Sequence, residues 1–168
     1  MRKFHTVAAL SLVALSAPAC ATEAPAKEKD AVANAVTDFL AAIGSEDKTA
    51  VADHMLPDGT IMVHNLMEAD NPQIVAVPVQ DHLKRWATRT GSYTEAMNYD
   101  IIKVSGTMAH VWGPYSFKAG TSLRHCGINS IHLLRTEAGW KVGNLSFTMV
   151  PPDQCAAVGA DWVEGDDS

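Results

Sequence analysis

The chain has 168 residues, 47% of them hydrophobic, and 13 Lys and Arg against 19 Asp and Glu give a formal net charge of −6. That length can bury the core of one compact domain. An acidic balance with no basic stripe points away from nucleic acid and anionic lipid as partners.

Met1-Arg2-Lys3 is positively charged, Val7 to Leu15 is an unbroken run of apolar and small residues, and Ala17-Pro18-Ala19-Cys20-Ala21 follows. That order is the n-region, h-region and small-residue cleavage site of an export signal, and the apolar run is too short for a membrane span. Two cleavage products are open. Cutting after Ala21 frees a soluble protein starting at Thr22; cutting before Cys20 leaves a lipid-anchored one. Leu15 lies too far from Cys20 for a good lipobox, so the soluble product, periplasmic or secreted, is the expected one. Either cut leaves Cys126 and Cys155, an even pair in an oxidising compartment, and predicts a disulfide between them. The mature chain loses Arg2 and Lys3, leaving 11 basic against 19 acidic residues, or −8.

Thr22 to Lys29 reads as a short exposed tether. From Asp30, apolar residues at Val32, Val36, Phe39, Leu40 and Ile43 form a helical stripe, with Gly44 as its C-terminal cap. Ser45 is placed to cap a second helix that turns Val51 and Met55 inward and ends at Pro57-Asp58-Gly59. Thr60 to Leu66 reads as a strand, Ile74 to Val77 as a short extended piece, and Val79 to Thr90 as a helix with Val79, Leu83, Trp86 and Ala87 on one face. Beyond Gly91 the chain is strand-rich. Tyr93–Val104 should pair with Met108–Lys118, with a bend at Gly113-Pro114. His125–Arg135 and Trp140–Met149 then form a hairpin around Glu137-Ala138-Gly139. The expected organisation is a signal over 1–21, a tether over 22–29, one domain over 30–150, and a tail over 151–168 with a disordered acidic end.

Helices first and long strands later predict an α+β domain with helices on one face of a curved antiparallel sheet. The order of elements, together with Met108-Ala109-His110-Val111-Trp112-Gly113-Pro114-Tyr115 and the hairpin Leu133-Leu134-Arg135-Thr136…Gly139-Trp140-Lys141-Val142, resembles the cone-shaped nuclear transport factor 2-like (NTF2-like, or SnoaL-like) superfamily over residues 30–150. The resemblance implies a pocket between the concave sheet face and the helices. It does not imply one activity, because the superfamily holds isomerases, dehydratases, hydrolases and ligand-binding modules alike.

Strand parity then selects the pocket residues. Ile131 and Leu133 mark the core face of their strand, and His125, Gly127 and Asn129 share that parity. Tyr115 and Phe117 should face inward on the neighbouring strand. His64 and Trp86 complete the expected ligand pocket. His125 is the sharpest candidate for proton transfer, with Asn129 to orient it or a substrate and Tyr115 as hydrogen-bond donor to an oxyanion. Asp100 stands out as an acidic residue in the central strands. Cys126 falls on the outer face, where a returning tail could bring Cys155 to it. His110 and Trp112 share that outer face, a candidate homodimer contact.

No His-Glu-x-x-His, paired helical histidines, phosphate loop or nucleophile elbow occurs, so no metal and no cofactor are expected. Three readings follow. The leading one is an exported module that binds a small apolar or mixed-polarity molecule. The alternatives are a proton-transfer enzyme (isomerase, dehydratase or hydrolase) using His125, and an interaction domain without a ligand.

Overall fold

The computed structural model describes residues 25–160. The expected signal, Cys20 and the acidic end lie outside the described residues. Helix α1 spans Ala26–Gly44 and buries Val32, Val36, Phe39, Leu40, Ala42 and Ile43. It starts inside the expected tether, and its first turn is held by Glu28, which accepts a 2.9 Å ion-paired hydrogen bond from Arg135 across the domain. Gly44 is the last helical residue, not a left-handed cap: the chain leaves through Ser45 at φ −57° and ψ 146°. The expected second helix is only a 3-10 turn over Ala50–His54. Ser45 Oγ accepts from the Asp47 amide, and Asp47 Oδ1 accepts from the Thr49 amide and hydroxyl, so the side chains compete with helical bonding. Val51 and Met55 still point into the core.

The remaining elements are β1 Thr60–Asn65, β2 Gln73–Pro78, α2 Val79–Ala87, β3 Tyr93–Met97, β4 Ile101–Ser105, β5 Met108–Ala119, β6 Ser122–Thr136 and β7 Gly139–Met149. They build one seven-stranded curved sheet ordered β2-β1-β7-β6-β5-β3, with β4 also on β5. All pairings are antiparallel except β1 with β7, which is parallel, so the sheet is mixed. Helix α1 packs on its concave side against β3, β4 and β7. In α2, Val79 and Trp86 are buried while Ala87 is exposed.

The expected break at Gly113-Pro114 falls on the partner strand. β5 runs through it, and Asn98–Asp100 divides β3 from β4. A side chain on Gly113 would lie 1.9 Å from the Asn98 carbonyl oxygen, so only glycine admits this crossing. Asn98 donates its amide to the Pro114 carbonyl there, 3.0 Å away.

The tail returns over the outer face. Pro152–Gln154 and Ala156–Val158 are single 3-10 turns, and a Cys126–Cys155 disulfide ties them to β6. Cys126, Val150, Cys155 and Ala160 form a small buried cluster of their own. With so few apolar partners, the cross-link should be the main restraint on this segment. Closing a loop of 29 residues is worth about 3.5 kcal/mol in the chain-entropy account. Guanidinium melts of C126S/C155S should show a loss of that order. A loss below about 1 kcal/mol would mean that the cluster holds the tail by itself.

Candidate functional site

The cone encloses a cavity of about 330 Å³, within the range of small-molecule sites. Its walls are mostly apolar, with Phe39 and Ile43 from α1, Ile61 and Val63 from β1, and Leu145 and Phe147 from β7. Alternation puts these residues inside: Ile61 and Val63 face Leu145 and Phe147 in register across β1 and β7.

Four polar side chains break the apolar wall: Glu95, Asn129, Tyr115 and His125. Glu95 comes from β3, where Tyr93 and Met97 on the same face pack on the core. Asn129 is 2% exposed, and its Nδ2 donates to Glu95 Oε1 at 2.8 Å, with Met97 Sδ at 3.8 Å. Burial raises the Glu95 carboxyl to about 7, and the Asn129 hydrogen bond only partly opposes this.

The second pair fixes a tautomer. The Tyr115 hydroxyl donates to the Thr148 carbonyl at 2.9 Å and lies 3.1 Å from His125 Nδ1. Its one proton is spent on the carbonyl, so Nδ1–H of a neutral His125 donates to the Tyr115 oxygen, and Nε2 keeps its lone pair. Burial, aided by Arg124, lowers His125 to about 4, which keeps the ring neutral at pH 7. Burial and the nearby Glu95 push the Tyr115 hydroxyl far above its ordinary range. Phe117 stacks on the His125 ring, 4.9 Å between centroids and 8° between planes. Gly127 makes the arrangement fit: a Cβ there would sit 1.9 Å from the Thr148 oxygen that receives the Tyr115 proton.

The mouth is formed by α2 and the turn that follows it. His82, Arg85, Trp86 and Arg89 line it, with the Arg89 guanidinium over the rings of Trp86 and Tyr93 at 5.0 and 5.7 Å. Burial and the two arginines lower His82.

Of the residues expected in the pocket, Trp86, Tyr115, Phe117, His125 and Asn129 line the cavity. His64 does not. It alternates with Val63 and faces the outer side of β1, paired with the exposed Ile74. Asp100 is exposed on the β3–β4 connection. The acidic group in the cavity is Glu95, which sequence reasoning passed over although Tyr93, Glu95 and Met97 share one parity. Arg85 and Arg89 were also missed. Among the described residues, no three His, Cys, Asp or Glu side chains converge as metal ligands.

No family model matches the chain, and no curated protein matches it significantly. Solved structures do. A conserved protein from Planctomyces limnophilus superposes with a TM-score of 0.62 at 15% identity, covering 74% of this chain and 98% of its own. A candidate dehydratase of the NTF2-like family from Streptomyces avermitilis gives 0.60 at 17% identity, covering 76% and 99%. An NTF2-like protein of unknown function from Shewanella baltica gives 0.55 at 15%, covering 77% and 99%. At these identities the likeness is one of fold: the chain has the α+β cone fold of the NTF2-like superfamily.

The opposite shifts of Glu95 and His125 have a signature in stability. The folded pKa of Glu95 lies above its ordinary 4.5, so its ionisation destabilises the fold progressively as pH rises from 4.5 to about 7. His125 lies below its ordinary 6.5, so its contribution is lost as pH falls from 6.5 to about 4. Over most of that span the two slopes cancel. Glu95→Gln removes one of them. The variant should gain on wild type by up to about 3 kcal/mol between pH 4.5 and 8, and its own stability should then rise with pH from 4 to 6.5. Urea melts at several pH values would read this; a gap independent of pH would place the Glu95 carboxyl in water.

Proposed function

We propose that this chain is an exported module that binds a small molecule of mixed polarity inside its cone. The observation that carries the reading is the open apolar cavity with two hydrogen-bonded polar pairs set into one wall, Glu95 with Asn129 and Tyr115 with His125. Apolar walls supply affinity, and a few fixed polar groups supply orientation. A domain with a collapsed cavity fits this less well. Export accords with the disulfide, which suits an oxidising compartment, and with the N-terminal pattern. Self-association belongs to the same reading: Ile101, Met108 and Leu134 are exposed on the outer sheet face beside Trp112.

Native mass spectrometry against a panel of neutral bicyclic arenes and alcohols would test the cavity. At least one should form a 1:1 complex, and Val63→Trp, which fills the wall beside Phe147, should abolish it while leaving the circular dichroism unchanged. A panel without any 1:1 complex, or complexes that survive the filled cavity, would overturn the reading.

A second reading is favoured by Glu95. A carboxyl titrating near neutral pH in an apolar site is matched to general acid–base work. In it Glu95 takes the proton, because His125 is too weakly basic for that task; Tyr115, whose one proton is spent on the Thr148 carbonyl, is not the oxyanion donor expected from the sequence. The probe 5-nitrobenzisoxazole reports such a base directly: a carboxylate removes its ring C–H proton, the N–O bond breaks, and a cyanophenolate forms. Its opening should accelerate with an apparent pKa near 7, and Glu95→Gln should cost about a hundredfold. Equal rates for wild type and variant would leave binding alone.

A further inference from the structure

The mouth of the cone differs in charge from the rest of the molecule. The chain is acidic overall, yet Arg85 and Arg89 stand together at the cavity entrance. Neither guanidinium has a carboxylate within ion-pair distance among the described residues. Asp81, the nearest acid on α2, pairs with Lys84, and Arg85 uses only its Nε, on the Asp81 backbone carbonyl at 3.2 Å. Arg89 rests on aromatic faces, which leaves its fork of N–H donors unspent. An aromatic wall lies beside these charges: Trp86, between the two arginines in sequence, lines the cavity at 6% exposure and carries the Arg89 guanidinium over its ring. Glu95 sets the direction: an anion deep in the cone would meet a carboxyl, whereas one at the mouth meets arginines.

Resting on the cavity reading above, we infer that the cone binds an apolar organic anion, its ring or chain body inside and its carboxylate at the mouth on Arg85 and Arg89. Arginine forks match a carboxylate in geometry as well as charge. The apolar body covers Phe39, Ile43 and Val63, and the inner polar groups read whatever substituent the far end carries.

Isothermal titration of 2-naphthoate against 2-naphthamide tests this, because the two differ in charge and little in shape. The carboxylate should bind about tenfold more tightly or better, and its advantage should shrink as salt is added. R85Q/R89Q should erase that advantage while leaving 2-naphthamide within about twofold, and K103Q, a charge removed from the outer sheet face, should leave both unchanged. Both arginines are exposed, so the variant should keep the wild-type melting curve. Equal affinity for the two probes, or a preference that survives R85Q/R89Q, overturns the inference and leaves the cavity reading standing. If neither probe binds, the cavity reading fails and the inference with it.

Discussion

Placing a carboxyl in an apolar cone constrains everything around it. Glu95 is carried inward by its parity with Tyr93 and Met97, and its ionised form is poorly solvated there. The response is local. Asn129, two residues from Ile131 on the core face of β6, supplies a donor at 2.8 Å. Between their strands lies β5, and its residue opposite Asn129 is Gly113. No side chain stands there, and the Asn98 carbonyl fills the place of one. The break between β3 and β4, the glycine and the amide thus form one arrangement that keeps a polar pair in an otherwise apolar wall.

The neighbouring pair obeys the same logic with opposite sign. His125 is held neutral by burial, and the direction of its hydrogen bond follows from the Thr148 carbonyl that takes the Tyr115 proton. The cavity therefore offers an acceptor nitrogen and a carboxyl near its half-protonated point. Rings connect this region to the mouth: Trp86 packs on Tyr93, Tyr93 on Phe117, and Phe117 on His125. A ligand would slide along an aromatic wall from the arginines to the polar pairs, which favours a flat or ring-bearing body.

Much of this was legible in the sequence, for one physical reason. Strand side chains alternate strictly, so two secure core residues orient a whole strand. Ile131 and Leu133 placed Asn129 and His125, and the arrangement of Tyr115 and Phe117 followed. The same rule, applied to Ile61 and Val63, would have turned His64 outward, and applied to Tyr93 and Met97 it would have found Glu95 instead of Asp100. Those misses were of application. Others were not recoverable by pattern. The segment after Ser45 reaches only a 3-10 turn over Ala50–His54 because side-chain bonds at Asp47 outcompete the helix. The parallel pairing of β1 with β7 leaves no local mark. Nor does a helix stripe announce that its polar flank, Arg85 and Arg89, will rim a cavity rather than face open water.

The distribution of charge along the cavity sharpens what it can hold. Arginines gathered at the rim of an acidic domain are not explained by solubility, which the overall negative charge already provides. Ion pairing does not explain them either, since neither closes an ion pair among the described residues and exposed charges contribute little. What they do supply is a positive potential focused at one opening of a low-dielectric cavity, where field lines concentrate and an approaching anion is steered. The same potential, weakened by distance, falls off toward Glu95. Polarity thus runs from cationic at the mouth, through an aromatic and aliphatic middle, to a titrating carboxyl within, and a molecule that matches it carries its charge at one end only.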